Sequence, residues 1–347
     1  MASILYVATD EGVVTLKSED GHNWKQEHHG LKDWQIPEVM VSPEAPNKVF
    51  AGTRGDGVWV SEDFGASWKK PCYGKRGPGK VRCLSFDPHD GKTIYAGTEL
   101  IDVFVSHDEA KNWDRLETVW NIPWVSTITY PVATVEPHVR DITIDPKNSQ
   151  TLYVALQVGY MLKTTDGGAH WELLNKNLDC DVHTIVLHPD DGNKIFIATG
   201  GHDCRAGKAP GRALYSSADG GQSWAPMAME FKEEYSVPLT VHPTKHNVLY
   251  SAVANGQPGQ WRKRGGDAQA FLIQSTDAGK SWKKLEGAVS QATHSFVESF
   301  AFDPANADRM YAAQQNGSLF GSEDSGSSWF NLNVRVPELS DMKAAHA

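Results

Sequence analysis

One short pattern recurs seven times along the 347 residues and constrains the fold more than any other feature of the chain. It reads Ser or Thr, any residue, Asp, any, Gly, any two, Trp. The copies are Ser18–Trp24 (one residue short), Ser61–Trp68, Ser106–Trp113 (with Ala110 at the glycine position), Thr164–Trp171, Ser217–Trp224, Ser275–Trp282 and Ser322–Trp329. Their Trp residues lie 44, 45, 58, 53, 58 and 47 positions apart, a period of propeller blades rather than of helical solenoids.

The flanks of each copy repeat as well. Most are preceded by an Asp-Pro or His-Pro corner (Asp87-Pro88, Asp145-Pro146, His188-Pro189, His242-Pro243, Asp303-Pro304) and then an apolar-aromatic run such as Ile94-Tyr95-Ala96 or Leu152-Tyr153-Val154. Short β-rich runs punctuated by Gly, Pro and Asp mark an all-β chain, and four such strands make one blade. The expected fold is therefore an all-β, seven-bladed propeller with four-stranded antiparallel blades, the repeated pattern forming the hairpin between the third and fourth strands. Within that hairpin the Asp can accept turn N–H groups, the Gly supplies a backbone angle closed to other residues, and the Trp can bury its ring between blades. Identical residues in every blade cannot converge on one asymmetric site, so turn chemistry, not catalysis, accounts for these aspartates.

The pattern resembles the bacterial neuraminidase (BNR) repeat, or Asp-box. Propellers of that kind include sialidases, xyloglucan-active glycoside hydrolases, sortilin-like receptors and photosystem II assembly factors, so the resemblance predicts a fold and no single chemistry. Sialidases have six blades and an Arg-Ile-Pro element whose arginine holds the sialic carboxylate. This chain carries Trp34-Gln35-Ile36-Pro37 there, which argues against a classical sialidase. The xyloglucan-active enzymes resemble these blades more closely, but they place a cleft between two seven-bladed domains, and only one domain is expected here.

That domain spans residues 1–347, because the repeat continues from Ser18 to Trp329 without a linker. The N-terminus begins at what is the second strand of every other unit, so segment 339–347 is expected to supply the missing inner strand of the first blade. No stretch is long and apolar enough to span a bilayer, and the first strand starts at once, so a cytoplasmic protein with no membrane contact is expected. A net charge of −10 opposes nucleic-acid binding. The four cysteines, Cys72, Cys83, Cys180 and Cys204, show no metal-ligand spacing and are expected as reduced thiols. The basic run Trp261-Arg262-Lys263-Arg264 is expected to be a solvated loop tip.

Function must lie where the repeats differ. Three long insertions leave the face opposite the repeated hairpins: Asp114 to Glu136 with Trp120, Trp124 and Tyr130, Gly200 to Arg212 with His202 and Arg205, and Ala254 to Ala270. Aligned on the Pro corners, the inner strands open on Pro37, Arg82, Arg140, His183, Val237 and Glu298; two positions earlier stand Gln35, Lys80, His138, Asp181, Tyr235 and Phe296. This predicts a ring of ionisable groups around the channel mouth. The candidate catalytic residues are His138, His183, Arg140, Glu298, Arg82 and Tyr235, and the candidate substrate contacts are Trp120, Trp124, Tyr130, Lys80, Gln35 and Arg205. His138, His183, His202 and His294 are the candidate ligands for a divalent metal, Zn, Mn or Fe, which would acidify a bound water. In a second chemistry, Arg82 and Arg140 clamp a carboxylate or phosphate while His183 or Glu298 moves a proton. The leading expectation is a hydrolase or lyase acting on a small polar or anionic substrate. The alternatives are a protein-interaction platform and a glycan-binding or glycosidase function.

Overall fold

The computed structural model describes residues 1–72, 77–129, 135–201, 212–287, 289 and 295–347. Seven antiparallel sheets form a seven-bladed propeller, six with four strands and the second, which uses residues 38 to 61, with three. In that second blade the outer strand shrinks to the single bridge pair Val60–Lys69. Pro71, two residues on, has no N–H with which to continue the ladder.

The inner strands are Glu38–Val41, Lys80–Asp87, Val139–Asp145, Val182–His188, Tyr235–Val241, Val297–Phe302 and Leu339–His346. They touch in that cyclic order, and Leu339–His346 packs against both Val297–Phe302 and Glu38–Val41, so the channel wall is a closed ring. In the first blade, Leu339–His346 pairs antiparallel with Ser3–Thr9, from Leu339 opposite Thr9 to His346 opposite Ser3. Blade one thus draws its strands from both ends of the chain.

Apolar alternation alone would leave each blade with one wet face, but both faces of the middle strands pack on neighbours. Leu152, Tyr153, Val154, Ala155 and Leu156 are all buried, and the clusters they join combine residues of two successive blades. Trp24 of blade one meets Tyr311 of blade seven edge-on at 5.5 Å. Tyr153 and Tyr250 reach the next blade's hairpin, donating to Gly220 O at 3.2 Å and Ser325 O at 2.9 Å.

The repeated hairpin is a closed hydrogen-bond unit. In blade five, Ser217 Oγ donates to Asp219 Oδ1 at 2.7 Å and accepts from Gly221 N at 2.9 Å, while Asp219 also accepts from Ser223 N and Oγ at 2.9 and 2.6 Å. These donors hold the Asp219 carboxyl down at about 2. The glycine position is left-handed, with φ 89° at Gly221, and Ala110 adopts φ 68° in its place.

Two expectations are corrected. The basic run is solvated at Arg262, Lys263 and Arg264, but it belongs to a helix, Pro258–Lys263, and not to a loop, and Trp261 is buried against Tyr235 and Phe296, with ring centroids 5.1 and 5.3 Å away. Nor are all described thiols reduced. Cys72 and Cys83 are free, but Cys180 is disulfide-bonded; Cys204 lies outside the described residues. Sequence spacing does not encode which cysteines approach in space, and that approach decides the bond. Among the described residues no helix is long and apolar enough to cross a membrane.

Candidate functional site

Register explains how the inner strands aim polar groups into the channel. In blades three, four, five and seven, one residue is skipped in the pairing with the second strand. Val81 and Cys83 pair with Thr98 and Gly97, leaving Arg82 extra; Val139 and Asp141 pair with Leu156 and Ala155, leaving Arg140. The same irregularity leaves out His183, Glu298 and, in blade one, Ser340. A β-bulge turns its extra side chain out of the pleat. Each bulge here delivers its residue to the same level of the channel mouth.

There the groups line a cavity of about 810 Å³. Gln35, Arg82, His138, Arg140, His183, Tyr235 and Glu298 all face it, as do Asp10, Arg54, Glu38, Asp141, Glu338, Asp341 and Lys343. A second space of about 500 Å³ continues down the channel and shares Glu38, Asp141, Thr184, Leu239, Phe300 and Lys343 with the first.

Residues that follow three of the bulges, Asp341, Asp141 and Ser299, together with Glu38 of blade two, stitch neighbouring blades together. Asp341 accepts Val39 N at 3.3 Å, Glu38 accepts Leu84 N at 2.9 Å, Asp141 accepts Ile185 N at 2.7 Å, and Ser299 Oγ accepts Met342 N at 3.3 Å. Lys343 holds Asp341 at 2.6 Å and lies 3.8 Å from Glu38. Burial raises the Asp141 carboxyl to about 6 and the Glu38 carboxyl to about 8.

On the cationic side, Glu99 gathers Arg54 at 3.0 Å, Lys80 at 3.3 Å and Arg82 at 3.5 Å. Lys80 therefore stands beside the site, tied to Glu99. The other arm of Arg82 donates to His138 Nε2 at 3.0 Å, while His138 Nδ1 donates to Glu136 O at 2.8 Å. That fixes a neutral His138: burial, then the Arg82 charge, depress its pKa to about 3. Burial and the neighbouring Arg140 and Arg54 charges also lower Arg82, to about 9.

His183 is buried, with Nδ1 2.6 Å from Ser236 O and Nε2 3.4 Å from Asp181 Oδ2; Gln157 donates to the other Asp181 oxygen at 2.6 Å. Burial works to raise the Asp181 carboxyl, and the His183 and Arg140 charges outweigh it and bring it below its usual value.

Two groups in the cavity stand apart. Neither the Arg140 guanidinium nor the Glu298 carboxyl has a hydrogen bond or ion pair among the described residues. Burial raises Glu298 to about 7 against the pull of Arg140, with Glu338 adding to the rise. Arg140 also acts on Arg82, His138, Asp141 and Asp181, so it is the electrostatic hub of the cavity.

The remaining sequence candidates fall elsewhere. Trp120 donates its indole N–H to Asp102 at 2.8 Å, and Trp124 donates to Gly159 O at 3.0 Å and stacks on Tyr160; neither lines the cavity. Tyr130, Arg205, His202 and His294 lie outside the described residues. Among those described, no three His, Cys, Asp or Glu side chains gather to hold a metal. Of the two candidate ligands that are described, His138 has Nε2 on the Arg82 guanidinium and Nδ1 on Glu136 O, and His183 has Nδ1 on Ser236 O with Nε2 3.4 Å from Asp181. Sequence reading missed Arg54, Glu38, Asp141, Asp341 and Lys343. Glu38 and Asp141 stood one position after the aligned ring and were legible there; Arg54 and Lys343 carry no such signal.

A family model described as "Sortilin-Vps10: Sortilin, neurotensin receptor 3" matches residues 101–257 and 159–291, between them more than half of the chain. A xyloglucanase, Xgh74A of Acetivibrio thermocellus, is 24% identical over 175 residues, which are 43% of this chain and 19% of the xyloglucanase. The chain thus spans about a fifth of the length of that curated relative. Among solved structures, a GH74 enzyme from Niastella koreensis superposes with TM-score 0.58 at 14% identity, over 98% of this chain and 66% of that one. A structure titled "YCF48 bound to D1 peptide" gives 0.56 at 14% identity, over 86% and 80%. These likenesses establish the propeller fold.

Proposed function

For a chain that belongs to the Sortilin-Vps10 family of propellers, we propose an enzyme of hydrolase or lyase type that acts on a small polar or anionic substrate in the mouth cavity. Its repeated hairpins are Asp-boxes, which build the scaffold and take no part in the chemistry. One observation carries the reading: Arg140 and Glu298, both without a partner among the described residues, face the same cavity. An unpaired guanidinium offers two parallel N–H donors to a carboxylate or phosphate. A carboxyl near 7 is divided between acid and base at neutral pH, the condition under which a general acid or base works best. In this reading Arg140 holds the substrate anion, Glu298 gives a proton to the departing atom or takes one from the attacking atom, and neutral His138 positions Arg82 beside Arg140. His183, clasped between Ser236 and Asp181, fixes the wall of blade five.

The expected outcome is that Glu298→Gln lowers kcat by about a hundredfold or more and removes the pH-rate limb near 7. Arg140→Ala should mainly raise KM, or Kd for a simple anion. Full activity in both variants would overturn the assignment. The likeness to the xyloglucanase supports a glycosidase as a second reading, in which Glu298 and Asp141 form the carboxyl pair; cleavage of aryl glycosides, lost in Asp141→Asn, would favour it. A platform for protein partners is supported by Trp120 and Leu100, 40% and 54% exposed beside the mouth.

A further inference from the structure

The cavity is not uniformly charged. Arg54, Arg82 and Arg140 stand on blades two, three and four, and Glu298, Asp10 and Glu338 on blades seven and one. In a closed ring of seven, blade seven lies across the channel from blades three and four, so Arg82 and Arg140 face Glu298 over open space, while Asp10 and Glu338 of blade one adjoin the blade that carries Arg54. The charges that could blur this division are spent locally. Lys343 of blade one is tied to Asp341 and lies 3.8 Å from Glu38 of blade two, Asp141 accepts Ile185 N, and Glu99 is saturated by its three cations. Glu338 keeps one oxygen occupied by Gln315 at 3.0 Å, while Asp10 and Glu298 have no side-chain hydrogen bond among the described residues. Arg262, the other cation of the lining, is exposed at the rim of blade six.

We propose that the ligand of this cavity is a zwitterion of dipeptide size, its carboxylate on Arg140 and its ammonium against Glu298 and Asp10. This rests on the anion-binding role given to Arg140 above and adds the second pole. A plain anion would leave Glu298 without a partner, and a plain cation would do the same to Arg140; each is costly in a confined space. A zwitterion satisfies both at once. The cavity, about 810 Å³, is in the range of small-molecule sites and holds a dipeptide with room for water.

Calorimetric titration of the whole chain with alanylalanine, its N-acetyl derivative, its C-terminal amide, and glutarate tests this. Free alanylalanine should bind about tenfold or more tightly than either capped form. Glu298→Gln should erase the discrimination against the N-acetyl form, and Arg140→Ala that against the amide. An N-acetyl form that binds as well as the free dipeptide, or glutarate binding that needs Arg140 without any dipeptide binding, would overturn the ammonium pole and leave the anion site standing. Failure of glutarate and all three peptides to bind would overturn both.

Discussion

Trp224 and Asp219 occupy one hairpin yet contribute by different physics. Trp224 is buried, and its indole N–H has no partner, so its contribution is packing between blades. Trp224→Ala should therefore cost about 3 to 5 kcal/mol in unfolding free energy. Asp219 is exposed and acts through turn hydrogen bonds, so Asp219→Ala should cost about 1 kcal/mol. Denaturant melts would check both, and equal losses would contradict this division. At the same scale, residue identity made much of the site legible: Arg82, Arg140, His183 and Glu298 align on the Pro corners and do meet at the mouth. The partners they choose were not legible. That His138 is spent on Arg82 and Glu136 O depends on atoms brought together from different blades.

The element that closes the ring is the strand Leu339–His346, which pairs with Ser3–Thr9 and packs on the inner strands of blades seven and two. Removing residues 339 to 347 strips one ladder and leaves Val39 N without Asp341. The melting temperature should fall by several degrees, measured by circular dichroism at fixed pH; an unchanged curve would show that the ring holds without this strand. Bulges are the other element-level device. Their residues were placed by counting back from each Pro corner, but the bulge itself has no sequence signature here, since arginine, histidine, glutamate and serine all occupy it. The helix Pro258–Lys263 had one, with Pro258 at its start and reciprocal Gln257 and Gln260 capping. Its basic run masked that signal, because charge alone does not tell a solvated tip from a helix with one buried Trp.

Across the whole molecule, buried acids set how stability responds to pH. Asp141, Glu298 and Glu38 have folded-state values raised to about 6, 7 and 8. A raised carboxyl favours folding while it stays protonated, so this contribution is fully present below the unfolded carboxyl range and is lost as pH rises through those values. Hairpin aspartates such as Asp219 and Asp166 are depressed to about 2 and contribute in the opposite sense, losing their share only in strong acid. Thermal stability should therefore peak near pH 5 and decline toward pH 8. Glu298→Gln should flatten the decline, and a wild-type melting temperature that rises over that interval would contradict the burial assigned to these groups. The repeat by itself determined the number of blades and the four-stranded content of six of them, because turn geometry and a bladed period are local properties of the chain. Only the tertiary structure decided which ring residues stay unpaired, that Trp120 and Trp124 leave the cavity, and that Arg82 and Arg140 face Glu298 across it. Those outcomes depend on distances between side chains from blades far apart in sequence, and on burial that no single segment carries.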